Sequence, residues 1–209
     1  DLAGGTVGMA GLPSDEAYLQ TMLEHDGASM DDVEIVNVGF DLLPALLSER
    51  VDAVIGTYWT HETILAEQEG NPVTYLRVEE WGVPDYYELI LAAGESTVAD
   101  QGEAITAFLG AMQRGFVDAA ADPDAALEVL LAASPDLDAE VERQGLELLL
   151  PLWSDAGAVA PGTQTAERWD AFGSWMTEQG LLGEGVDIAA AWNGGLLPAS
   201  EALPATPAG

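Results

Sequence analysis

Over the first 93 residues, short apolar runs alternate with segments whose apolar positions recur every three to four residues. That alternation is the pattern of strands joined by crossover helices in a parallel or mixed sheet. Residues 6–10, 33–38 and 51–56 read as three strands, and 73–78 and 86–92 as a fourth and fifth. Between the first two, Ser14 reads as the N-cap of a helix, with Asp15 and Glu16 in its first turn and a stripe of Tyr18, Leu19, Met22 and Leu23. Asp41 can cap a short helix that tolerates Pro44 in its first turn and turns Leu43, Leu46 and Leu47 inward. Residues 60–69 form a third helical pattern, ended by Gly70.

After Gly94 the periodicity is helical almost throughout, which sets a boundary or hinge near residues 90–97. The expected organisation is an α/β part over 1–92, a helical part over 93–198 and a loose Ala/Pro-rich tail over 199–209. Asp100 and Glu103 form a capping-box pair ahead of Ile105, Phe108, Leu109, Met112 and Phe116. Asp122 and Pro123 start the next helix, another follows Ser134 and Pro135, and Thr165 caps one whose face is Trp169, Phe172, Trp175 and Met176.

Charge narrows the function. Thirty-seven acidic residues face five basic ones, all arginine, for a formal charge of −32. Nucleic acid is excluded as a partner, because phosphate binding needs clustered Lys or Arg, and an anionic membrane surface is disfavoured on the same ground. No apolar run is long enough to span a membrane. The excess of acid over base suggests a saline setting, and stability is expected to rise with sodium or potassium chloride. Carboxylate repulsion opposes the compact state, and the screening length contracts from about 10 Å at 0.1 M to about 3 Å at 1 M. A melting temperature that stays flat or falls over that range would count against this.

With no cysteine, the sequence has no disulfide, zinc ribbon, iron-sulfur cluster or thiol nucleophile. His61 and Glu62 begin like a zinc-protease motif, but Leu65 stands where the second histidine belongs. Asp136, Asp138, Glu140 and Glu147 have calcium-loop spacing, yet Val141 occupies the position of the turn glycine, so a solvated helix face is expected. The glycines Gly4, Gly5 and Gly8 precede or interrupt the first strand instead of following it, so no dinucleotide fingerprint is present and no cofactor is expected. Open α/β sheets gather ligands at the carboxyl ends of their strands. Here those ends carry Gly11-Leu12-Pro13-Ser14-Asp15, Gly39-Phe40-Asp41 and Thr57-Tyr58-Trp59. Tyr58 and Trp59 can equally serve as packing for the helix that follows.

In order and spacing, Thr6-Val7-Gly8, Gly11-Leu12-Pro13-Ser14-Asp15-Glu16-Ala17-Tyr18, Val36-Asn37-Val38-Gly39-Phe40-Asp41, Pro44-Ala45-Leu46-Leu47, Val51-Asp52-Ala53-Val54-Ile55-Gly56 and Gly82-Val83-Pro84-Asp85-Tyr86 resemble one family. It is the thiamine-pyrimidine-precursor branch of the ABC-transporter solute-binding proteins, which shares its fold with fungal hydroxymethylpyrimidine synthases and, more distantly, with sulfonate and taurine binders. The likeness continues through Trp169, Phe172, Trp175-Met176 and Leu181-Leu182 to Trp192-Asn193-Gly194-Gly195-Leu196-Leu197-Pro198.

The resemblance implies a type II periplasmic-binding-protein fold, with an α/β lobe followed by the helical remainder of the other lobe. It also implies a periplasmic or extracellular protein, anchored through an upstream segment, that passes its ligand to an ABC permease. Members begin with a strand-helix-strand region that this chain lacks, so the chain is expected to be an incomplete version of its parent. Its helical half would then expose Phe108, Met112, Trp169 and Trp175 and behave poorly as a monomer.

The implied ligand is a small aminopyrimidine. Tyr58 or Trp59 offers a stacking plane, and an acidic side chain can accept hydrogen bonds from its ring NH and NH2 groups. On a strand over 86–92, period two puts Tyr86, Glu88 and Ile90 on one face, which makes Glu88 the carboxylate beside the hinge unless it pairs with an arginine or faces water. The expected ligand-binding residues are Ser14, Asp41, Tyr58, Trp59, Tyr86 and Glu88. A binding module is favoured over an enzyme, because the synthases carry a cysteine-rich motif near the segment here written Trp81-Gly82-Val83-Pro84-Asp85-Tyr86-Tyr87. The alternatives are a sulfonate or other anion binder, for which no arginine lies in the strand-end loops, a pyrimidine synthase, and a non-transport sensor domain.

Overall fold

The computed structural model describes residues 2–154 and 159–199. Asp1 and residues 200–209 of the expected tail lie outside them. The chain divides into two compact units, one holding the residues up to Tyr86 together with Asp170–Val186, the other Tyr87–Trp169 and the residues from Asp187 on.

In the first unit, β1 (Thr6–Met9), β2 (Glu34–Asn37) and β3 (Ala53–Val54) form a parallel sheet in the order β2-β1-β3. Thr6 stands beside Glu34, and Val7 beside Ala53. Central β1 sends Val7 and Met9 to one face, where they are buried with Leu19, Met22 and Leu23 of α1 (Pro13–His25). Gly8 points to the other face, and a Cβ there would come within 3.2–3.3 Å of Val38, Val51 and Val54. That missing side chain lets a second cluster of Val38, Leu42, Ala45 and Val51 close on the sheet. Leu42 and Ala45 belong to α2 (Leu42–Leu47), so helices cover both faces. α3 (Glu62–Gln68) ends as expected at Gly70, which has φ +79° while the Asn71 N–H donates to the Ala66 carbonyl at 2.9 Å.

Several expectations for this unit are corrected. The N-cap of α1 is Leu12, with Pro13 in the first helical position, so Ser14 lies inside the first turn and caps nothing. In α2 the buried pair is Leu42 and Ala45, with Leu43, Leu46 and Leu47 only half-buried, because a six-residue helix presents little more than one turn to the core. Residues 73–78 are not a strand: the segment runs without a ladder into a 3-10 turn, Val78–Trp81. Nor are 86–92 a strand, and Leu89 there is 86% exposed. An apolar run becomes a strand only when a neighbour accepts its backbone hydrogen bonds. Neither segment has such a neighbour among the described residues.

The second unit is built on α4 (Glu95–Ala121), α5 (Pro123–Ala133) and α6 (Ala139–Leu149). The capping signal at Asp100 marks a break inside α4, where Gln101 leaves helical geometry (φ −128°, ψ 23°). The Asp122 carboxylate caps α5 by accepting the Ala125 N–H at 3.1 Å. Asp138, in the stretch with calcium-loop spacing, caps α6 by accepting the N–H groups of Glu140 and Val141. Buried Gln113 donates to the Pro161 carbonyl at 3.0 Å, which ties α4 to the chain ahead of α7 (Ala166–Glu178). Thr165 caps α7, its hydroxyl accepting the Arg168 N–H at 3.3 Å. Phe108 is exposed as expected, but Trp175 is not: it is 6% exposed, because the later turns of α7 belong to the first unit and lie against α1.

Candidate functional site

All three strands run parallel, so their carboxyl ends share one edge of the first unit, and the loops there follow the order β2-β1-β3. After β1 the chain reverses through Gly11 (φ +88°). Asp15, 3% exposed, turns its carboxylate back to accept the Leu12 N–H at 3.1 Å. This sets a negative group at the positive end of α1. Ser14, half-buried, stands in the same turn. After β2 the Asn37 side-chain carbonyl accepts the Gly39 N–H at 2.9 Å, and Gly39 takes φ +60°. Phe40 then projects 85% exposed, followed by exposed Asp41, whose carboxylate makes no cap hydrogen bond to α2.

After β3 comes Gly56 (φ +95°), then Tyr58, half-exposed, whose N–H donates to Glu62 at 2.8 Å. Trp59 is half-buried and stacks on Tyr75, with centroids 5.5 Å apart and planes 14° apart. The Arg77 guanidinium sits 5.2 Å from the Trp59 ring centre, and its Nε donates to Glu79 at 2.7 Å. An arginine therefore does reach a strand-end loop, although its charge is already engaged by Glu79.

Tyr86 lies elsewhere in this unit. Its ring stacks on Phe172 at 4.6 Å and on Tyr18 at 5.8 Å, and Trp175 closes the group against Tyr18 at 5.4 Å and Phe172 at 5.2 Å. Tyr18 is one turn along α1 from Ser14, which links this aromatic group to the strand-end loops through one helix. Ser14, Asp41, Tyr58 and Trp59 thus all stand on loops at one edge of the sheet. Tyr86 is joined to them by α1, and exposed Glu88 belongs to the second unit. Asn37, Phe40 and Arg77 also stand at or against these loops and were not among the expected ligand-binding residues. The Asn-x-Gly spacing of 37–39 was the available signal for the turn that presents Phe40.

Among the described residues no group of three or more His, Asp or Glu side chains gathers as a metal site. The second unit carries a groove of about 290 Å³ between α5 and α6, lined by Pro123, Asp124, Leu127, Arg143, Leu146, Glu147 and Leu150. Its Arg143 is held charged, above its usual pKa, by the hydrogen bond it donates to Asp124 and by that carboxylate's charge. None of the expected ligand-binding residues lines it.

Residues 1–126 match the family described as NMT1/THI5 like. The chain belongs to that family. This bears out the resemblance carried by the strand-end motifs. Among relatives, the NMT1/THI5-like chain is 38% identical over 180 residues to a formylaminopyrimidine-binding protein of Halalkalibacterium halodurans, covering 84% of this chain and 54% of that protein. It is 33% identical over 186 residues to a Haemophilus influenzae protein named for thiamine biosynthesis, covering 87% of this chain and 56% of that protein. It is also 28% identical over 207 residues to a riboflavin-binding protein of Chloroflexus aurantiacus, covering 95% of this chain and 57% of that protein. The chain spans about half the length of the curated relatives it matches. Among the described residues no helix is long and apolar enough to cross a membrane.

Proposed function

We propose that this chain is part of the solute-binding component of an ABC importer, which captures a small aminopyrimidine of the formylaminopyrimidine kind and delivers it to the permease. The observation that carries the reading is the edge of the parallel sheet. There an aromatic pair, Tyr58 and Trp59, stands on one strand-end loop, and a carboxylate free of capping duty, Asp41, stands on another. An aminopyrimidine needs those two things, a plane to stack on and an acceptor for its NH and NH2 groups. Similarity to a formylaminopyrimidine-binding protein supports the same ligand class.

On this reading the fold is the type II periplasmic-binding fold, the protein works outside the cytoplasm, and ligand is held by closure of two lobes without covalent chemistry. Ser14, Asp41, Tyr58, Trp59, Tyr86 and Glu88 form the proposed site, with Glu88 as the second acceptor. The 3-10 turn at Val78–Trp81 and buried Val83 anchor the segment leading to Tyr86 and Glu88.

Calorimetry with formylaminopyrimidine and hydroxymethylpyrimidine, on protein expressed from its complete coding sequence, tests this. Glu88→Gln keeps the shape but exchanges a charged acceptor for an amide, and is expected to weaken binding by about 1.5–3 kcal/mol. Unchanged affinity in that variant removes Glu88 from the site. Absence of binding by the wild type sinks the ligand assignment.

A further inference from the structure

Phe40 is 85% exposed and stands on a hydrogen-bonded turn. A single exposed apolar side chain on a loop needs no explanation by itself. This one sits on a turn closed from both sides. The Gly39 N–H is held by the Asn37 side chain, the Asp41 N–H donates to the Val38 carbonyl at 3.4 Å, and the Val38 N–H donates to Met9 of the central strand at 3.0 Å. The Asn37 amide lies against the bare Cα of Gly11, where a Cβ would stand 2.3 Å from its nitrogen. The β1 and β2 loops are therefore in close contact here, and Phe40 projects from the turn beside that contact.

The neighbouring loops present Leu12, 48% exposed, and Tyr58, 50% exposed. In the strand order β2-β1-β3 these three side chains stand on adjacent loops, with Leu12 in the middle. Strands that flank a common neighbour lie about 10 Å apart, twice the interstrand spacing. Two aromatic stacking separations placed end to end span about 9–14 Å. A planar ring inserted between Phe40 and Tyr58, on the loops that follow those two strands, is compatible with that spacing. Asp41 adjoins Phe40 in the chain and is exposed, so a carboxylate acceptor stands next to it.

We propose that Phe40 and Tyr58 sandwich the bound heterocycle, so that Phe40 is a specificity-determining residue selecting a single flat ring. This rests on the small-heterocycle reading above and assigns its stacking partner on the β2 side. Phe40 brings an electron-rich face and no polar group, so it holds the ring without a hydrogen-bonding demand of its own.

The test is calorimetric titration of the complete protein with formylaminopyrimidine as probe, using Phe40→Ala, Phe40→Leu and Phe40→Tyr, with melting temperatures measured in parallel. Phe40→Ala is expected to lose about tenfold in affinity and Phe40→Leu nearly as much, since leucine keeps apolar area but offers no ring. Phe40→Tyr should bind within about threefold of the wild type. All three should melt as the wild type does, because the side chain touches little of the folded protein. Wild-type affinity in Phe40→Ala or Phe40→Leu overturns the sandwich while leaving the pyrimidine reading intact. A wild type that binds no pyrimidine overturns both.

Discussion

Trp175→Ala is expected to lower the unfolding free energy by about 3–5 kcal/mol, the range for removing a large buried aromatic ring. The Trp175 ring lies nearly parallel to Tyr18 (planes 8° apart) and to Phe172 (20°), and the same two rings flank Tyr86. Its indole N–H donates to the Thr21 hydroxyl at 3.0 Å, and that hydroxyl donates to the Ala17 carbonyl at 2.8 Å. Truncation therefore opens a cavity between α1 and α7, removes two aromatic contacts and strips the Thr21 oxygen of a donor. Buried Ala17 and Val83 in the same cluster are too small to fill the space. Urea unfolding of Trp175→Ala, with Trp175→Phe as the conservative control, measures the loss. A deficit below about 1 kcal/mol in the alanine variant would mean that the rings do not hold the two helices together.

The parts of this fold that were legible in the sequence are those decided by local chemistry. The three strands of the sheet, the ends of α3 and α5, and the Thr165 cap all follow from apolar alternation, a glycine able to take positive φ, and side chains that reach back to an N–H three residues ahead. Local rules also misled. Ser14 is a better capping residue than Leu12, yet Pro13 fixes the first helical position and Asp15 covers the Leu12 N–H, so the helix starts earlier than its serine suggests.

Segments 73–78 and 86–92 have strand composition, but a ladder needs a partner, and pairing is a property of the whole sheet. The strand-end loops show the same divide. That the loops carrying Ser14, Asp41, Tyr58 and Trp59 share one edge follows from parallel strand order. The engagement of Trp59 by Tyr75 and Arg77 depends on a loop whose course no periodicity records.

Gly11→Ala is the second substitution with a large expected effect, about 2–3 kcal/mol of lost stability. Two costs combine. At φ +88° an L-residue is strained by about 1–2 kcal/mol. The new Cβ would also stand 2.3 Å from the Asn37 amide nitrogen, so Asn37 must leave and its hydrogen bond to the Gly39 N–H, worth about 1 kcal/mol, goes with it. Gly39→Ala separates the two costs, because Gly39 also has positive φ but a Cβ there meets nothing within 4 Å. Gly39→Ala should therefore lose only the strain, and Gly11→Ala should exceed it by about 1 kcal/mol or more. Adding Asn37→Ala removes the obstacle along with the hydrogen bond, so the Gly11→Ala/Asn37→Ala double variant should fall well short of the sum of the two singles. Chemical denaturation of the four variants and the wild type decides it: equal losses at Gly11 and Gly39, or strict additivity with Asn37→Ala, would show that the β1 and β2 loops are not coupled through this contact.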